Sequence, residues 1–168
     1  MPISNFPRLR FTDITEEEVL DRTGAAVFLA SASPLVAEAT PAAQTSAVSI
    51  LGVKQLDIFI DITTNPNSLL YVKVRFSGKE SPDVAVPTDW GMVQVDNVAG
   101  ATGISTAQEY MVEIDLNSVN GVVPVAGAPR RYLVRIDQVS GLWASALVWV
   151  GSGNGQGKVY FQRQGGSM

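Results

Sequence analysis

The chain contains neither cysteine nor histidine. These absences exclude disulfides, structural zinc sites of the Cys/His kind, thiol nucleophiles and an imidazole general base. The formal net charge is −4 and Lys and Arg form no dense cluster, so we expect no nucleic-acid partner. No apolar run has the length that a signal peptide or a membrane span requires, so we expect no membrane partner either.

Hydrolytic chemistry without Cys or His would need Ser or Thr activated by Lys, or a pair of carboxylates. The S-x-x-K and G-x-S-x-G motifs are missing, and the carboxylate pairs Asp57/Asp61 and Glu113/Asp115 follow the alternation of solvated strand faces. The glycine-rich run at 151–157 lies between two predicted strands and lacks the helix of a phosphate-binding loop. We therefore predict no enzyme activity, no catalytic residue, no metal and no cofactor.

Alternation of apolar and polar residues is the main structural signal in the sequence. A chain of 168 residues with 46% hydrophobic content has the size of one domain with its own core. Apolar residues at every second position and turn residues between the runs predict strands at 24–33, 48–64, 70–76, 91–95, 109–117, 131–139, 143–151 and 158–163. The predicted fold class is all-β, a two-layer antiparallel β-sandwich, and within that class an eight-stranded jelly roll.

The N-terminal region has a different pattern. Residues 1–12 contain two prolines that withhold backbone donors, which predicts an extended arm carrying the apolar residues Phe6, Leu9 and Phe11. The residues Thr-Glu-Glu-Glu at 15–18 match a capping box and predict one short helix over about 15–21. We therefore divide the chain into an arm with a short helix, residues 1–22, and a single sandwich domain, residues 23–168.

Three segments have the residues of tight turns between strands. The Asn-Pro-Asn turn at 65–67, Ser-Gly at 140–141 and the glycine-rich run at 151–157 each predict a β-hairpin. Across the first of these hairpins we expect a ladder of opposite charges formed by Asp57, Asp61, Lys73 and Arg75.

Charge is distributed unevenly along the chain. Residues 1–120 carry 7 basic and 15 acidic side chains, whereas residues 121–168 carry 5 basic and 1 acidic. The simple interpretation is a chance distribution that folding mixes over one surface. The alternative is that acidic and basic faces of neighbouring copies meet in an oligomer.

Aromatic residues suggest one binding function. Trp143 and Trp149 are separated by an even number of residues and so share a strand face, and Tyr160 on the next strand is predicted to join them. An exposed aromatic face of this kind can stack on a sugar ring. A carbohydrate-binding module is therefore one hypothesis, with core or interface packing of the same aromatics as the other interpretation.

The run LDIFIDITTNPNSLLYVKVRFS, followed after a short loop by DWGMVQV, resembles sandwich proteins of tailed-bacteriophage virions. Over about residues 46–96 it is similar to jelly-roll cement or decoration proteins, which sit on capsids, often as trimers. Head-to-tail and fibre components of virions share this style of sequence, and so do some carbohydrate-binding modules.

The resemblance implies a structural virion protein that binds and stabilises a phage shell as a homotrimer, on the exterior of a capsid, after expression in the host cytoplasm. Its partners would be further copies of itself and the major capsid protein or another virion protein. The arm residues Phe6, Leu9 and Phe11 would be docking anchors. Trp90 would plug the end of the barrel or form a subunit contact, and the doublet Arg130–Arg131 would contact an acidic partner or lie on a solvated edge.

Overall fold

The computed structural model describes residues 15–90, 110–117, 130–137, 139 and 141–165. Within them nine strands form, in chain order β1 (Glu17–Arg22), β2 (Leu29–Ala30), β3 (Val48–Ser49), β4 (Val53–Thr64), β5 (Leu69–Ser77), β6 (Tyr110–Asp115), β7 (Arg130–Asp137), β8 (Trp143–Val150) and β9 (Gln156–Gly165). Sheet A has the order β1-β9-β4-β7, and sheet B has the order β2-β8-β5-β6 with β3 also paired to β8. The predicted all-β sandwich is confirmed.

The core lies between the two sheets and is formed by the apolar positions that alternation identified. Leu56, Ile58, Ile60 and Ile62 of β4 are fully buried on the inner face of sheet A. They meet the inner face of sheet B, which contributes Leu70, Val72, Val74 and Phe76 from β5 and Ala144, Ala146, Val148 and Val150 from β8. Each strand therefore buries one side and leaves the other on an outer face, as a period of two requires.

All three predicted hairpins are wrong, because the strands on either side of each turn belong to different sheets. β4 is in sheet A and β5 in sheet B, and the same change of sheet separates β7 from β8 and β8 from β9. The predicted ladder between β4 and β5 is therefore absent from the described strands. Asp57 and Asp61 instead lie opposite Arg135 and Arg131 of β7.

The predicted helix at 15–21 is also wrong, since β1 begins at Glu17 and pairs with β9. A helix of two turns is marginal without tertiary support, whereas a strand here completes the edge of sheet A. Val19 and Leu20 both reach the core because the register shifts between Glu18 and Leu20, a β-bulge that turns two consecutive side chains inward.

The short helix lies elsewhere. α1 (Pro34–Ala39) and a 3₁₀ turn at Pro41–Ala43 lie between β2 and β3. For this part of the chain we predicted a strand at 24–33 and a loop at 38–47. Ala37 and Ala43 pack on Leu147 and Trp149 of β8. This segment covers the outer face of sheet B, because small alanines allow the backbone to approach the sheet closely.

Candidate protein-interaction surface

The outer faces of the two sheets differ. The outer face of sheet B lies beneath α1, the 3₁₀ turn and the loop at 78–90, and its residues Lys73, Arg75, Ser145, Leu147 and Trp149 are buried. No described segment covers the outer face of sheet A. We call the latter the open face, and its central side chains are Lys158, Tyr160, Gln162, Asp57, Phe59, Asp61, Arg131, Leu133 and Arg135.

Arg131 lies at the centre of the open face. Its Nε and Nη2 donate to the two carboxylate oxygens of Asp61 at 2.6 and 2.7 Å, and its Nη1 donates to Glu16 at 2.7 Å. The guanidinium also stacks 5.1 Å from the ring centroid of Phe59 and 5.5 Å from that of Tyr160. The hydrogen bonds that Arg131 donates to Asp61, and secondarily the one to Glu16, raise the pKa of Arg131 above its ordinary value. Arg131 is therefore a fixed, planar cation over two aromatic rings.

A second ion-pair cluster adjoins the first. Arg135 donates through Nε and Nη2 to Asp57 at 2.9 and 3.0 Å, and the amides of Gln55 and Gln164 donate to the same carboxylate. Asp57 is only 1% exposed despite its place on an outer face, because these three side chains cover it. Leu133, between Arg131 and Arg135 on β7, is 48% exposed. The open face is thus a pre-ordered polar surface with an exposed apolar residue on its edge strand, β7.

Acidic residues of the first part of the sequence form ion pairs with basic residues of the last part inside one chain. Basic residues of the late strands β7 and β9 pair with acids of the early strands β1 and β4, which the fold brings beside them. Besides the two clusters above, Lys158 contacts Glu18 at 2.9 Å and Asp21 at 3.0 Å, and Arg163 contacts Glu17 at 3.0 Å. Basic residues of the C-terminal part therefore pair with acids of the N-terminal part inside one chain.

The structure separates the residues of the Arg130–Arg131 doublet. Arg131 lies on the open face, whereas Arg130 occupies the adjacent register position opposite Ile62 and is exposed at the end of the strand. Trp90 is buried, its ring 5.0 Å from the Arg75 guanidinium and its Nε1 donating to the Asp83 carbonyl at 2.8 Å. It lies over sheet B within the chain. Phe6, Leu9 and Phe11 lie outside the described residues.

The expected grouping of the three sugar-stacking aromatics is wrong. Trp143 and Trp149 do share the outer face of sheet B, but Tyr160 is on the outer face of sheet A. Trp149 is fully buried and stacks on Tyr71 with 5.1 Å between ring centroids. The Nε1 of Trp143 donates to the Glu80 carbonyl at 3.0 Å, so this ring anchors the loop at 78–90. These residues form no common platform for a sugar.

Sequence reasoning missed Phe59 and Asp61 as parts of one cluster with Arg131 and Tyr160. The alternation along β4 can be read from the sequence, but the pairing of β4 with β7 and β9 cannot. It also missed Arg75, whose burial depends on the loop at 78–90 folding back over sheet B.

Among the residues that the structure describes, no group of acidic side chains could hold a metal ion. Nor does any helix in that part of the chain have the length and apolar character needed to cross a membrane. A scan against models of protein families finds no match to the sequence, and a search of curated proteins finds no significant match.

Proposed function

We propose that this protein is a structural virion protein that decorates a phage shell and stabilises it as a homo-oligomer. One observation carries the proposal: one outer face of the sandwich is covered by the chain itself, while the other presents the fixed Arg131, Phe59 and Tyr160 cluster with exposed Leu133. Arg and aromatic side chains are the residue types enriched where protein interfaces derive most of their binding energy. The outer face of a sheet suits a protein partner better than a small ligand, which needs a concave site.

The strand pairing supports the jelly-roll assignment that accompanies this proposal. With β2 and β3 taken as one interrupted strand, the pairs β1–β9, β3–β8, β4–β7 and β5–β6 are nested antiparallel ladders, first with last and inward. Such a nested ladder, rolled up so that β9 meets β4 and β8 meets β5, is the arrangement of a jelly roll with two Greek keys. The short β2 departs from it by pairing with β8 in parallel.

Shell binding is tested by cosedimentation of the purified protein with shells of the virus that encodes it. We expect wild-type protein to sediment with shells and to raise the temperature at which they open. Leu133→Asp places a charge on the open face and should weaken binding at least tenfold. Leu51→Asp is the matched control, because Leu51 is 76% exposed in the turn between β3 and β4, away from that face.

The arm is tested separately with a variant that lacks residues 2–12, which should remain folded and lose shell binding. Light scattering behind a sizing column tests the homotrimer, whose mass should be near three times 17.9 kDa. Wild-type protein that neither sediments with shells nor self-associates would contradict the proposed function. Equal binding by Leu133→Asp and wild type would remove the open face from it.

A further inference from the structure

Arg75 differs from the other buried charged side chains of the protein. Asp57 and Lys73 each have an ion partner, Arg135 and Glu38 respectively. Arg75 is 5% exposed and has no carboxylate within salt-bridge distance among the described residues. Burial of an unpaired charge is among the most unfavourable arrangements in a folded protein.

Two of the guanidinium nitrogens of Arg75 lack an acceptor. Nη2 donates to the Ser145 hydroxyl at 3.0 Å and to the Val84 carbonyl at 3.3 Å, but Nε and Nη1 are buried and have no hydrogen-bond partner in the described part of the chain. Native proteins pair almost all such groups, because an unpaired buried donor is destabilising. The site therefore has two unused N–H donors and a positive charge that no described carboxylate pairs with directly.

The surroundings of Arg75 are closed and polar. Ser145 and Thr45 are both buried, with 3.4 Å between their hydroxyl oxygens. The Trp90 ring closes the opposite side, on the loop at 78–90. The charge of Glu38 acts on Arg75, but Glu38 forms its ion pair with Lys73. Burial accordingly lowers the pKa of Arg75 to about 10, with the Glu38 charge opposing the change.

Other arginines of this protein bind a carboxylate through Nε and Nη2, and in Arg75 one of these two nitrogens is already occupied. Arg131 and Arg135 both bind a carboxylate through Nε and Nη2 together. In Arg75 the Nη2 of this edge is occupied by Ser145 and Val84, so a carboxylate cannot bind in the same way. An anion of one atom needs only one N–H and a neighbouring hydroxyl, and it fits a closed site better than phosphate or sulfate.

From this geometry we propose that Arg75 is an anion site, and that the layer between sheet B and the loop at 78–90 binds a chloride-sized monovalent anion there. The anion accepts a hydrogen bond from Nε or Nη1 and neutralises the buried charge. It also fixes the plane on which Trp90 packs, so it holds the loop against the sheet. This inference does not depend on the proposed function, because it concerns the folding of the chain itself.

The test is urea unfolding of the full chain in sodium chloride and in sodium gluconate at equal ionic strength. A ligand that binds only the folded state increases the folding equilibrium constant by up to tenfold for each tenfold rise in its concentration above the dissociation constant. We expect this dependence on chloride in wild type. We expect none in Arg75→Met, which keeps the volume of the side chain and removes its charge. Arg135→Met is the control, since Arg135 has its own carboxylate, and it should retain the wild-type dependence.

A second measurement covers the case in which Arg75→Met does not fold. Chloride-35 NMR of wild-type protein should show line broadening that bromide reverses and that Arg75→Lys reduces. Equal chloride dependence in wild type and Arg75→Met would overturn the proposal, as would the absence of any dependence and of any broadening in wild type. The latter result would mean that water or a group of the chain itself satisfies the guanidinium.

Discussion

Arg131 contributes to stability through several contacts at once. Arg131→Ala removes the two-point pair with Asp61, the bond to Glu16 and the stacking on Phe59 and Tyr160. Because the side chain is 43% exposed, solvent screens the ion pairs, and we expect a loss of about 1–2 kcal/mol in the free energy of unfolding.

Urea unfolding provides the measurement for Arg131, and Arg131→Lys separates charge from shape. Lysine keeps the charge but has no planar fork, so it should recover less than half of the loss. The adjacent Arg130→Ala is the control and should change stability by less than about 0.5 kcal/mol, because Arg130 is exposed at the strand end. Equal effects at both positions would contradict the role assigned to the cluster.

The lowered pKa values of Asp21 and Asp89 predict that the protein loses stability in acid. The Thr23 hydroxyl and Lys158 donate to Asp21 and hold its pKa below the ordinary value of 3.8, and Lys79 has the same effect on Asp89. A carboxyl group whose pKa is lowered by folding binds fewer protons in the native state than in the unfolded state. Its contribution is therefore complete above about pH 4 and is lost as the pH falls through the folded-state pKa.

The acid dependence is measured by urea unfolding between pH 2 and pH 6. Stability of wild type should fall with decreasing pH, and the double variant Asp21→Asn, Asp89→Asn should fall less steeply over the same range. Identical slopes for the two proteins would show that other carboxylates account for acid unfolding.

Strand β9 can pack closely against β4 because Gly157 of β9 has no side chain. A Cβ at Gly157 would overlap the carbonyl oxygen of Asp61 on β4 and press on the ring of Phe28. Backbone cannot move aside as a flexible side chain can, so we expect Gly157→Ala to lower the free energy of unfolding by more than about 3 kcal/mol.

Gly52→Ala is the matched comparison for Gly157→Ala. Gly52 has a φ of +77° and no atom within 4 Å of its added Cβ, so only the left-handed conformation opposes the change. That strain is worth about 1–2 kcal/mol. Urea midpoints measure both, and a smaller loss at Gly157 than at Gly52 would contradict the close packing of β9 on β4.

Alternation predicted strands where β4 to β9 lie but could not assign them to sheets. Of the strand predicted at 24–33 only Leu29–Ala30 forms, and the strand predicted at 91–95 lies outside the described residues. Ile60 of β4 and Val72 of β5 have the same period of two whether their strands form a hairpin or face each other across a core. The turn residues at 65–67 suit both connections, so local chemistry alone favoured the wrong one. Pairing between distant strands, such as Glu17 with Phe161, decides between them, and no short segment contains that information.

The same limit applies to the candidate surface. Arg131 and Tyr160 were each identified from the sequence, but in separate hypotheses, because their strands β7 and β9 are not neighbours in the chain. Both lie beside β4, so Phe59 is the residue that joins them. The capping box at 15–18 likewise predicted a helix from local residues alone, whereas the segment forms β1 and pairs with β9.

For the chain as a whole, nested pairing makes the first and last strands interdependent. β9 lies between β1 and β4 in sheet A, so it supplies hydrogen bonds on both of its edges. Val159 and Phe161 of this strand are fully buried in the core. A chain without β9 would have two unpaired strand edges and an open core, which favours aggregation over folding.

Two truncated chains test this dependence. The chain that ends at Asn154 should show no cooperative urea transition and should bind hydrophobic dyes, because sheet A cannot form without its second strand. The chain that ends at Gly165 keeps all of β9 and should unfold like wild type, which makes it the control for loss of the C-terminus as such. A cooperative transition in the shorter chain would mean that β1 and β4 pair directly. That result would contradict the dependence of the fold on β9.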